Sequence, residues 1–454
     1  MNKAQFAGRR GARRDVFGQL KTAASITAIS VALSGVAGFH GGRVQAQALP
    51  AGCTDGNNNV AENSETVTCA VAPPTVVGGI TTNVDDVTVV VGNATTPTTV
   101  NNGAGAGVSM SGNGAQTVRV ENTGSSVTGS TYGIDVIGRA TATNVTVASQ
   151  GNVTGTSYGI YVYNTGSGQT QITSTNVTST TNDGVYVYQD TGAGDVSITS
   201  TGMVSGGDDG VEVTNFGNGT TTLQVNDITA QDDGVEVDTF GATGNVSVTQ
   251  TGTVTAGDQG INIDHRGGGT TTVNSVNVTT TRDDGIYVLQ RGGTDVSVTS
   301  TGQIRSGDDG VEIRNNGTGS TTVNVNNITA GDDGVELDTT TSSTTVSVTA
   351  SGTVTSARDI GLDLDHEGSG AMTVNANVVS GLVGIDTTAR GGSTTVTLGS
   401  TAVVTGTTGA GIASRSTGGA ITVQGSSGAV TGATDGINLR PAGGAILVQT
   451  IDSV

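Results

Sequence analysis

The chain has no tryptophan, five prolines and two cysteines in 454 residues, and aromatic residues make up 3% of it. So few large rings cannot fill the broad interior of a large globular domain. Lysine is absent after Lys21, and beyond residue 48 eleven arginines face thirty-seven acids. That balance excludes nucleic acid as a partner, because phosphate binding needs basic clusters. It suits cations, or a surface kept soluble by self-repulsion. No apolar run is a comfortable membrane span, since the segment from Ala23 to Phe39 is short and interrupted by Ser, Thr and Gly. No window has a 3.6-residue period, which excludes leucine-rich and ankyrin-type solenoids.

What is present is glycine, 74 residues of it, with Thr, Val, Asn and Ser dominant from about residue 80. Val, Ile and Thr favour strands. Their regular spacing excludes plain disorder, which lacks both β-branched residues and periodicity.

Residues 1–48 read as an export signal. A basic stretch ends at Lys21, the short apolar run follows, and Ala46-Gln47-Ala48 fits a small-residue cleavage site, so the mature chain is expected to begin at Leu49. Arg13-Arg14 fits a twin-arginine signal poorly, and the general secretory route is expected. Cys53 and Cys69 follow directly. In an oxidising compartment they are expected to form a disulfide closing a short loop, within an N-terminal cap of residues 49–100.

A Gly followed by an apolar-x-apolar triplet recurs from Gly107 (GVSM) through Gly210 (GVEV) and Gly310 (GVEI) to Gly436 (GINL), at intervals of about 25 residues. Self-similarity at a fixed period marks a solenoid. Within residues 285–309 the apolar positions Ile286, Val288, Val296, Val298 and Ile304 fall in pairs two apart, separated by turn-forming stretches. The expectation is an all-β parallel β-helix over residues 101–440: about 14 coils of ~25 residues, three short strands each, right-handed by the crossover rule. Residues 441–454 are expected to be a truncated end or a last strand. Coils alternate in kind, because the gap from Val298 to Ile304 shrinks between Val325 and Ile328.

The signal segment and the TVSVTSTG and GDDGVEV coils resemble the passenger domains of bacterial autotransporters. The resemblance implies export, passage through an outer-membrane barrel translocator with its assembly machinery, and display at the cell surface or release outside it. An adhesin or stalk role against a host surface, a glycan or other cells is implied. No barrel strands follow the coils before Ile451-Asp452-Ser453-Val454, so the expectation is either a passenger fragment or a different export route. The filamentous exoproteins of two-partner secretion are the second resemblance, but their NPNGI-like signature is missing.

Two sets of residues stand out. The Asp-Asp-Gly corners contain Asp208, Asp209, Asp232, Asp233, Asp283, Asp284, Asp308, Asp309, Asp332 and Asp333. Stacked on one edge, these carboxylates repel, and weakly bound Ca²⁺ would relieve them. Alternatively Asp is there because it suits the turn before Gly. Tyr161, Tyr163, Tyr186 and Tyr188 alternate with inward aliphatics, which places them outward on adjacent coils, for contact with sugar or protein or for mutual stacking. On later coils the matching outward positions are Glu212, Glu236, Glu312, Glu336 and Asp363. The Gly-Asp-Asp motif of polygalacturonases is mimicked at Gly207-Asp208-Asp209 and Gly307-Asp308-Asp309, but it recurs on too many coils to be a single catalytic pair. His265 and His366 lie just past the triplets, as corner residues. No enzyme activity and no obligatory cofactor are expected.

Overall fold

The computed structural model describes residues 47–55, 60–70, 75–190, 192, 194–241, 243–425 and 428–449. Apart from its last two residues, the expected export signal lies outside these. Every regular element among the described residues is a strand.

Three strand stretches make each coil. In one, Ile286–Gln290 carries the triplet, and Val296–Arg305 then runs across two faces with a corner between them. Each stretch pairs in parallel with its counterpart one coil on: Ile286 opposes Val311, and Val311 opposes Val335. The three stacks are called sheet A (triplets), sheet B (Val296–Ser300 and its equivalents) and sheet C (Gln303–Arg305 and its equivalents). About 15 coils of ~25 residues result. The one missing from the expected fourteen is led by Gly79-Ile80, whose Ile80 opposes Val108. Its second inward residue is Thr82, fully buried, so the apolar pattern does not reveal it.

Alternation gives the core. In Val296–Ser300, Val296, Val298 and Ser300 are buried and Ser297 and Thr299 are half-buried. Val and Ile fill the interior along the whole stack. The triplet glycine is fixed by close approach. A Cβ at Gly310 would lie against the carbonyl of Gly334 in the next coil and Cγ2 of Ile328 in sheet C, well inside van der Waals contact. Gly210, Gly234 and Gly285 likewise meet the next triplet glycine's carbonyl and an Ile or Val of sheet C.

The alternation of coils is smaller than the spacings imply, because Val298 opposes Val323 and Val325 opposes Ser300. Register shifts fall where Ser300 and Gln303 of one strand oppose Val325 and Asn327 of the next, so one corner is a residue longer on alternate coils. Cys53 and Cys69 are bonded, with Cα atoms 4.1 Å apart, and sit opposite each other in an antiparallel pair. Yet Thr66–Cys69 already runs parallel to Thr88–Val91, so coil register starts inside the cap. The expected terminal piece holds a last strand, Ile446–Gln449, parallel to the strand of Ile421.

Candidate functional site

The two aspartates of each Asp-Asp-Gly corner do different things. The second one is covered where it lies against sheet A: Asp209, Asp233, Asp284, Asp309 and Asp333 are all buried. Its Oδ1 accepts a backbone N–H from the next coil. Asp233 donates to Asp209 at 2.8 Å, Gln259 to Asp233 at 2.9 Å, Asp333 to Asp309 at 2.8 Å and Ile360 to Asp333 at 2.6 Å. The aspartate therefore does serve a backbone amide, but across coils rather than within its own turn.

Its Oδ2 faces the outward position of the triplet one coil on. At Asn262 that partner is an amide, whose Nδ2 donates to Asp233 Oδ2 at 2.9 Å. In other coils the partner is Glu, and carboxyl meets carboxyl. Oxygens of Asp209, Asp233 and Glu236 lie within 4.8 Å of one another, as do those of Asp284, Asp309 and Glu312. Glu312, expected to be outward and acidic, is fully buried and also pairs with Arg314 at 2.6 Å. Burial raises the carboxyls of Asp309, Asp333 and Glu336, and their neighbours add to it. Asp309 rises to about 8 through burial, then Glu336 and Glu312; Asp333 to about 8 through burial, then Asp309; Glu336 to about 8 through burial, then Glu312. Asp209, Glu212 and Glu236 are pushed well above the usual range for the same reason. Oxygen-rich, charge-dense clusters of this kind match the ligand preference of Ca²⁺.

The first aspartates form a shallower row. Asp232, Asp283, Asp308 and Asp332 are half-buried and Asp208 is exposed. Asp208 joins Asp183 and Asp209 in one close group, Asp232 joins Asp233 and Asp258, and Asp283 joins Asp284 and Asp308. Two arginines lie along this row. Arg282 donates to the carbonyls of Gly257 and Gln231, one and two coils back, and lies 3.4 Å from Asp232. Arg358 repeats the arrangement on Gly331 and Gly307, beside Asp308.

The tyrosines form two stacks. Tyr161 and Tyr186 are parallel, 5.1 Å apart, and join Tyr132 and Tyr158. Tyr186 is 6% exposed, so it is not a free outward ring: its neighbours cover it. Tyr163 and Tyr188, 4.6 Å apart, continue into Phe216 and Phe240, and Arg266 lies 4.2 Å over the last ring. Stacking occupies ring faces and leaves mainly edges to solvent. Phe216 and Phe240 were not expected in the patch, although their spacing of one coil is legible.

His265 and His366 sit at corners but point inward and are buried. His265 Nδ1 meets the hydroxyl of Thr271 at 2.8 Å, and His366 Nδ1 that of Thr339 at 2.7 Å. Burial holds both imidazoles below their ordinary range. They belong to an interior polar row with Asn164, Gln189, Asn215, Gln290 and Asn315. The asparagines close the corner: Asn315 Oδ1 accepts from Gly317 N–H at 2.8 Å while its Nδ2 donates to Thr321 at 2.9 Å. No known protein family, curated protein or solved structure matches the chain.

Proposed function

We propose that the chain is an exported rod of the autotransporter-passenger type, displayed at the cell surface as a stalk or adhesin. The uninterrupted stack of about 15 parallel coils carries this reading. Such a stack sets length rather than enclosing a site, and each coil is stable only against its neighbours. Its partners in this reading are an outer-membrane barrel translocator with its assembly machinery, and a host surface, glycan or second cell. The test is surface labelling of intact cells that express the gene with an epitope at the exposed corner around Gly192. Labelling without lysis is expected; signal only after lysis overturns the reading. The proposal assigns no catalysis, and release of reducing sugar from polygalacturonate would overturn that part.

A second reading, a Ca²⁺-stabilised rod without adhesive function, is favoured by the close oxygens of Asp209, Asp233 and Glu236. It expects EDTA to lower the melting temperature and added Ca²⁺ to restore it. An unchanged melt removes it.

A further inference from the structure

The outer face of sheet B differs from the rest of the surface. One rank runs Ser197, Thr222, Ser247, Thr272, Ser297, Thr322 and on to Thr422; each member opposes the next in parallel register. The second rank, two residues along each strand, runs Thr199, Gln224, Thr249, Asn274, Thr299, Asn324 and on to Gln424. The first rank is hydroxyl throughout. Threonine alternates between the ranks, so every coil presents at least one. Neither rank holds a charge, in a chain of net charge -20. Stacked carboxylates are not excluded by the fold itself, because sheet A carries Glu212, Glu236, Glu312 and Glu336 at its own outward positions. The register shifts of the stack fall past these ranks, beyond Ser300 and Val325, and leave them aligned.

The ranks form a two-dimensional lattice, ~4.8 Å between coils and ~6.6 Å between ranks. Threonine is stiff at χ1, so each presents its methyl and hydroxyl in a narrow range of directions. A protein partner is generally anchored by Trp, Tyr or Arg, and a sugar by aromatic ring faces; these ranks hold none of them. A charge would keep its own hydration shell, and here there is none to disturb ordered water. A partner that matches a neutral, periodic array of hydroxyls and methyls is itself periodic, neutral and made of hydrogen-bonding units. We infer that the outer face of sheet B binds the lattice of ice.

The experiment uses the purified full chain in an ice recrystallisation and crystal-shaping assay. Slowed recrystallisation and faceted crystals are expected. The double variant Thr272→Asp and Thr322→Asp, with unchanged circular dichroism, is expected to lose both effects, while Glu367→Gln, away from sheet B, keeps them. Unfaceted, freely growing crystals with the unaltered chain overturn the inference. So does activity that survives the double variant, or pull-down of a neutral polysaccharide or self-association through this face without ice activity. The inference does not depend on surface display: a failed ice assay leaves the surface-labelling result intact, and the reverse also holds.

Discussion

Asp309, Asp333 and Glu336 each carry a folded-state pKa raised to about 8, chiefly by burial. A raised carboxyl holds its proton longer in the folded chain than in the unfolded one. Folded protein then binds more protons between the ordinary carboxyl range and pH 8, and stability falls as pH rises through that window. His265 and His366 act in the opposite sense, because burial lowers them and stability falls as they charge in acid. Above pH ~6.5 the histidines are mostly neutral in both states and the carboxyls dominate. In EDTA, the melting temperature should therefore drop between pH 6.5 and 8, and Glu236→Gln with Glu336→Gln should flatten that slope. A melt that rises over the same interval would contradict the buried carboxyl row. At Gly310, an added methyl meets the Gly334 carbonyl and Ile328. Gly310→Ala should cost about 1–3 kcal/mol by overpacking, read from the urea midpoint.

At the scale of strands and corners, one local device closes a corner within a coil and another stacks one coil on the next. The asparagine corner at Asn315 ties Gly317 N–H and the Thr321 hydroxyl to one side chain. Asn315→Ala leaves both buried groups unsatisfied and should cost about 1–3 kcal/mol, with faster hydrogen exchange confined to the neighbouring coils. The aromatic stacks, by contrast, act from one coil to the next. Tyr188 touches Tyr163 and Phe216, so Tyr188→Ala should lower stability by at least ~0.5–1.5 kcal/mol. Cell binding of Tyr161→Ala with Tyr186→Ala separates contact from stacking: loss of binding with an unchanged melt assigns these rings to a partner, and a lowered melt with intact binding assigns them to the coil.

For the whole molecule, stability is a sum of coil terms and coil–coil terms, with nothing contributed by distant contacts. Fifteen coils at ~4.8 Å make a rod of roughly 70 Å. Small-angle scattering should give a cross-section that is constant along that length. Charge is distributed by face: sheet A buries carboxylates, the Asp-Asp-Gly corner displays them beside Arg282 and Arg358, and sheet B has none in its two ranks from Ser197 to Gln424. A single rod therefore presents different chemistry around its circumference.

The sequence by itself determined the solenoid. Pairs of aliphatics two apart, recurring every 25 residues with glycine before one pair, leave a three-stranded coil as the arrangement that buries them all. The disulfide partners and the one-coil spacing of the aromatics are legible too. Tertiary structure alone decided where the polar residues point. Asp209 and Asp208 are neighbours in an identical dipeptide, yet one is buried on the next coil's amide and the other is exposed, because backbone direction at the corner depends on the coil above. Glu312 reads as an outward acid from strand alternation and is fully buried, because the aspartate row folds over sheet A. His265 and His366 read as corner residues and serve the interior. Alternation tells which side of a strand a residue occupies; what then covers that side is set by contacts a full coil away, which no local pattern encodes.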